Sequence, residues 1–204
     1  MTKKKTIISV IIALVVLVAV GFSISSINAK KAESAALEQK IEKQKAAKAK
    51  KKELAAKKEK LNEWKHPSEK KAYPDLMKHK DAYIKVSIDK QRVYIKDGSK
   101  NLYTMKAATG EKGSPTPKGT FHIQNRGDHF YNAESDEGAN YWTSFKDWGV
   151  YLFHSVPTDK DGKYVESEAH KLGTRSSHGC VRLTIPDAKW INTKVPDGMK
   201  VVVE

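Results

Sequence analysis

The sequence predicts a mainly β globular domain, a sandwich or partly closed barrel with one late helix, preceded by a membrane segment and a helical stalk. Three observations predict it. From about Tyr83 onward, short apolar–polar alternations are separated by turn signals. A single Pro-led helical stretch lies near the C-terminus. Ahead of both, an apolar run is followed by a tract of Lys, Ala and Glu. The boundaries read as 1–29 for the membrane segment, 30–71 for the stalk and 72–204 for the globular domain.

Lys3, Lys4 and Lys5 precede a nearly unbroken apolar run from Ile7 to Phe22, which continues more weakly to Ile27. With that extension the run reaches about 20 residues, the length that crosses a bilayer. The flanking lysines orient such a segment with its N-terminus in the cytoplasm, which exports the rest of the chain. Ser-Ile-Asn-Ala, ending at Ala29, loosely matches a small-residue cleavage site. A cleaved signal peptide is therefore the alternative to a single-pass anchor, and both export the domain. Residues 30–66 contain no Gly or Pro. Ala, Lys and Glu favour helix, but apolar residues are too sparse for a sustained heptad. The expectation is a solvated, partly helical spacer, ended near His66-Pro67.

The net charge of +14 sits mainly in this N-terminal part, with +3 in the first five residues and +8 in residues 30–71. The remaining +3 is spread over residues 72–204. Nucleic-acid binding is not expected, because the Lys-rich tract has Ala and Glu where a nucleic-acid surface has Arg and aromatics. Anionic lipid headgroups or wall polymers suit it better.

In the domain, Tyr83 to Ile88, Arg92 to Lys96, Leu102 to Ala108, Gly119 to Ile123, Gly149 to His154 and Lys200 to Val203 read as strands. Asp97-Gly98 is a hairpin turn. Pro186 to Thr193 reads as the helix. Gly127 to Ala139 reads as a polar, flexible loop. Tyr141, Trp142, Phe145 and Trp148 form an aromatic cluster whose default role is packing.

The chain has one cysteine, so no internal disulfide is possible. A lone Cys is ordinarily a small buried hydrophobe, yet its neighbours here point to chemistry. Ser176-Ser177-His178-Gly179-Cys180-Val181-Arg182-Leu183 puts a thiol after a Gly and beside a His, with an Arg two residues on. A free thiol has a pKa of about 8.5 and needs a base to act as a nucleophile at neutral pH. Gly179 permits a sharp turn that aims backbone amides at an oxyanion. Arg182 suits a substrate carboxylate. On a strand with Val181 turned inward, Cys180 and Arg182 share the opposite face. Two further segments strengthen the signal: Ala108-Thr109-Gly110 leading through Ser114-Pro115-Thr116-Pro117-Lys118-Gly119-Thr120-Phe121, and Tyr151-Leu152-Phe153-His154-Ser155.

These motifs, in this order, resemble the L,D-transpeptidase family, the YkuD domain type, over roughly residues 80–204. The resemblance implies Cys180 as nucleophile, His154 as general base and Ser155 as the residue that orients it through its carbonyl. It implies Gly179 and Cys180 amides as the oxyanion hole, with Arg182, His178 and Ser177 at the substrate. It further implies peptidoglycan stem peptides as substrates, a Cys thioester intermediate, 3–3 cross-links and no cofactor. Two features depart from the family's habit. Ser155 stands where Gly is common, and His154 and Cys180 lie 26 positions apart, with the polar stretch Pro157 to Ala169 as the extra length.

Other readings remain open at this point. Water in place of the amine makes the same site an L,D-carboxypeptidase. A sortase is also an exported Cys–His–Arg transpeptidase, but its Thr-Leu-x-Thr-Cys motif is absent. A noncatalytic wall-binding module is the third. A zinc site built from His154, His170, His178 and Cys180 lacks the usual ligand spacing. His122, His129 and His170 read as structural or surface residues. The sequence is silent on oligomeric state.

Overall fold

The computed structural model describes the backbone of residues 2–204, and the side chains of residues 23, 25, 26, 28 and 30–204. The chain divides into two compact units, residues 1–57 and 58–204. Helix α1 spans Thr2–Leu61, so the tract expected to be partly helical is continuous helix. Among the described residues, no helix is long and apolar enough to cross a membrane. The apolar run from Ile7 to Phe22, on which the expectation of a membrane segment rests, lies outside the residues whose side chains are described.

The second unit is built on one nine-stranded sheet. The strands are β1 (Ala82–Ser87), β2 (Arg92–Asp97), β3 (Lys100–Ala108), β4 (Gly119–His122), β5 (Arg126–Asn132), β6 (Glu137–Lys146), β7 (Tyr151–Ser155), β8 (Val181–Leu183) and β9 (Lys200–Val203). Their order is β4-β9-β1-β2-β3-β8-β7-β6-β5. Pairing is antiparallel except for β1 with β9 and β7 with β8. The sheet curls on itself. The Gln124 amide, just past β4, donates to the Ser144 carbonyl of β6 at 2.9 Å, and the Ser144 amide donates to Asn125 at 2.8 Å. The result is a partly closed barrel.

Period-two burial explains the curl. Ile84 and Val86, Val93 and Ile95, Tyr103, Met105 and Ala107, and Val201 and Val203 all turn inward. They meet Phe145, Phe153, Val181 and Leu183 from the other half of the sheet. The late helix, α3 (Ile185–Lys194), fills the same core with Ala188 and Ile191. Thr184 caps it by accepting from the Asp187 amide at 3.3 Å, Pro186 sits in its first turn, and it stops before Pro196.

Two segments differ from expectation. Residues 126–146 form the β5–β6 hairpin instead of a flexible loop. β5 is an edge strand exposed at Asp128, His129, Tyr131 and Asn132, so it lacks the apolar alternation that marks a half-buried strand. The end of the expected stalk also belongs to the domain. Trp64 is buried in a second small core with Ala108, Val156, Ala169 and Leu172. Ser68 Oγ donates to Asp187 at 2.5 Å and accepts from the Lys106 amide at 2.8 Å. The compact unit thus begins at Lys58, well ahead of residue 72.

Candidate active site

The parallel pairing of β7 with β8 assembles the site. Its register sets His154 opposite Arg182 and Phe153 opposite Val181. Paired residues on neighbouring strands point the same way, and so do residues two apart on one strand. Cys180, Arg182 and His154 therefore share one face, while Phe153 and Val181 enter the core.

Cys180 and His154 line a single cleft of about 480 Å³, together with Phe130, Glu137, Trp142 and His178, among others. His154 is 1% exposed and its Nδ1 lies 2.7 Å from the Ser155 carbonyl. A carbonyl only accepts, so Nδ1 carries a proton, and in the neutral imidazole Nε2 keeps its lone pair. Phe130 meets the imidazole edge-on at 5.7 Å. Burial, followed by the Arg182 charge, pushes the His154 pKa down to about 3. Burial pushes the Cys180 thiol up to about 11. The resting pair is thus a neutral imidazole and a neutral thiol. The thiol points at the Val150 carbonyl, 3.5 Å away.

The turn before Cys180 is held from within. Ser177 Oγ donates to the Cys180 carbonyl at 2.5 Å and accepts from the Gly179 amide at 3.2 Å. Gly179 has φ +120, and a Cβ there would come within 3.0 Å of the Tyr151 ring, so only glycine serves. The Ser176 and Ser177 amides both donate to the Thr109 carbonyl, and the Glu111 amide donates to Ser177. The Ala-Thr-Gly and Ser-His-Gly-Cys motifs are adjacent for this reason. Ser155 is fully buried. It receives the Asn140 amide on Oγ at 3.0 Å and donates to the Val156 carbonyl at 2.9 Å. His178 is exposed on the cleft wall.

Three expectations change. Arg182 does not stand open to a substrate carboxylate. It is 1% exposed, and its guanidinium is divided between Glu137 and Glu168, the latter at 3.0 Å. Ser177 is 2% exposed and acts on the turn, not as a free substrate group. The Gly179 amide, expected at an oxyanion, is engaged by Ser177. The structure also adds residues that sequence reasoning missed. Glu137 starts β6, in the stretch read as a loop. Glu168 lies in the short helix α2 (Glu166–Ala169) of the extra segment. That segment is stitched to the hairpin by reciprocal Gly138–Thr158 backbone bonds of 2.9 and 2.7 Å. The available signal was indirect: an Arg on the buried strand β8 requires carboxylate partners. Among the described residues, no group of three or more His, Cys, Asp or Glu is placed to hold a metal ion.

Comparison with known proteins bears on the family and the fold. The model of the YkuD family, the L,D-transpeptidase catalytic domain, matches residues 81–203. YciB of Bacillus subtilis (strain 168), assigned by name to the L,D-transpeptidases, is 48% identical over 145 residues, covering 69% of this chain and 74% of that protein. An L,D-transpeptidase structure from Mycobacterium smegmatis aligns with a TM-score of 0.51 at 22% identity, over 61% of this chain and 58% of that one. The structure of LdtMt1 in complex with imipenem aligns with a TM-score of 0.51 at 21% identity, over 61% and 59%. The chain thus spans under two thirds of the solved structures it matches, and at these identities they speak for the fold. Ordered motifs, the shared half-barrel, the family match and the close relative converge: this chain belongs to the YkuD family of L,D-transpeptidase catalytic domains.

Proposed function

We propose that the protein is a cysteine L,D-transpeptidase that forms 3–3 cross-links between peptidoglycan stem peptides through a Cys180 thioester. The observation that carries this reading is the convergence of Cys180 and His154 on one cleft, with Nδ1 of His154 held on the Ser155 carbonyl. As a tetrapeptide stem enters, Nε2 takes the thiol proton and Sγ bonds to the carbonyl carbon of the third residue. The oxyanion forms beside the turn that carries the Cys180 amide. The tetrahedral intermediate collapses, the C–N bond to the terminal D-alanine breaks, and the imidazolium returns the proton to the departing amine. An amine of a second stem then attacks the thioester, passes a proton to His154 and releases the thiol.

In this reading the domain works outside the cytoplasm, tethered to the cell membrane and facing the wall. Support comes from Lys3 to Lys5 and the apolar run from Ile7 to Phe22. The test of the chemistry is mass spectrometry of full-length protein incubated with tetrapeptide stems. D-alanine release and a stem dimer joined through third residues are expected, both falling at least about 10³-fold in Cys180→Ala. Imipenem, the ligand of one similar structure, is expected to add its mass to the wild type and not to the variant. A folded wild type that neither releases D-alanine nor takes up imipenem overturns the proposal.

A further inference from the structure

We infer that Glu137 is a specificity residue that receives the side-chain ammonium of the donor stem's third residue, an assignment that rests on the transpeptidase reading above. Among the described residues lining the cleft, Glu137 is the one carboxylate, and no Lys or Arg lines it. The wall around it includes Phe130, Trp142, Val150 and Leu152. A carboxylate in such a wall needs a donor, and its two oxygens differ in what they meet. Its Oε2 receives the Arg182 guanidinium, whereas Oε1 has no protein hydrogen bond among the described residues. The side chain retains 18% exposure, while Arg182 behind it retains 2%. Arg182 therefore holds the carboxylate from the protein side and leaves one oxygen toward the cleft.

Arg182 also divides its charge. Glu168 shares it at 3.0 Å and has Lys171 at 2.6 Å as a further partner. Among the described residues, Arg182 is the only cation paired with Glu137. The group that complements Glu137 Oε1 is a hydrogen-bond donor with positive charge. The aromatic rings of Phe130 and Trp142 in the same wall attract a cation as well. A primary alkylammonium meets both conditions.

Two amines enter the proposed reaction, and chemistry separates them. The acceptor amine must lose its proton to attack, and a carboxylate paired with it favours the protonated form. The donor's third-residue side chain stays protonated throughout, and it lies beside the carbonyl that Cys180 attacks. Glu137 suits the donor. It is fixed on β6, a rigid element, so it positions the third residue and thereby aligns the carbonyl with Sγ.

The experiment measures D-alanine release by the full-length protein from two tetrapeptide stems that differ only in the third residue, one with a free side-chain amine and one with that amine acetylated. The wild type is expected to prefer the free amine by about tenfold in kcat/KM, the worth of one charged hydrogen bond. Glu137→Gln is expected to abolish the preference while still releasing D-alanine. Glu168→Gln removes the other carboxylate from Arg182 and leaves the cleft intact, so it is expected to keep the preference. A wild type that uses both stems equally overturns the assignment and leaves the transpeptidase reading standing. So does a Glu137→Gln that retains the preference. A wild type inert on both stems overturns the transpeptidase reading and this assignment with it.

Discussion

Cys180 and His154 are both held in their neutral forms, and the pH response of the site follows. With the thiol pushed up to about 11, its thiolate fraction grows about tenfold per unit through neutral and mildly alkaline pH. Iodoacetamide alkylation of Cys180 in the unliganded protein should climb in the same way between about pH 7 and 10. A rate that is already flat across neutral pH would show a preformed thiolate–imidazolium pair and overturn the neutral resting pair. The same burial has a thermodynamic consequence. The folded His154 pKa, about 3, lies below its ordinary value of 6.5, so the unfolded chain binds the extra proton first. Stability from this group is complete above pH 6.5 and is lost as pH falls toward 3. The loss amounts to a few kcal/mol. Urea unfolding of wild type and His154→Gln at pH 7 and pH 4 should show the smaller acid loss in the variant. An equal loss in both would remove His154 from the account.

The elements that position these residues were unequally legible in the sequence. β1, β2, β3 and β9 announced themselves because one face of each is buried and the other is not, which is a period-two signal. α3 was legible through Pro186 near its start. Cys180 and His154 were legible as motif members, since Gly179 has a backbone conformation only glycine accepts. β5 was hidden because an edge strand exposed along most of its length has no apolar face to display. The partners of Arg182 were hidden for another reason: Glu137 and Glu168 meet it only when the hairpin and the extra segment close over β8, across separations of 45 and 14 residues. The turn itself makes a prediction at this scale. Gly179→Ala must place a side chain at φ +120 against the Tyr151 ring, a strain of about 1–3 kcal/mol. The turn will move to relieve it, carrying the Cys180 amide with it. Imipenem acylation should fall at least about tenfold, with a Tm only a few degrees lower. Wild-type acylation in this variant would mean that the turn geometry does not matter to the chemistry.

At the scale of the molecule, the point where stalk becomes domain is decided by burial, not composition. Lysines continue past the break at His66-Pro67 as far as Lys71, yet Trp64, ahead of that break, is 3% exposed and stacks obliquely on Tyr164 at 5.6 Å. Tyr164 belongs to the same extra segment that delivers Glu168 to Arg182, and its hydroxyl accepts from Asn140 at 2.8 Å. The Leu61 carbonyl meets His170 Nε2 at 2.9 Å, at the other end of that segment. Residues 58–71 therefore brace the segment that braces the catalytic strand. They also serve Asp187, a buried carboxylate at the start of α3 that accepts from Ser68 at 2.5 Å and from Tyr73 at 2.7 Å. Removing residues 58–71 exposes the Trp64 site, worth about 3–5 kcal/mol by analogy with large-to-small core changes, and strips Asp187 of Ser68. Three lengths of chain test this: the full sequence, one beginning at Lys58 and one beginning at Ala72. The chain from Lys58 should match the full sequence in urea midpoint and in acylation by imipenem. The chain from Ala72 should lose most of its stability and acylate more slowly, because Glu168 and Arg182 lose their support. The same series tests the anchor, since only the full sequence should sediment with membranes. Equal stability of the two short chains would move the domain boundary back to residue 72 and reduce Trp64 to a passenger of the stalk.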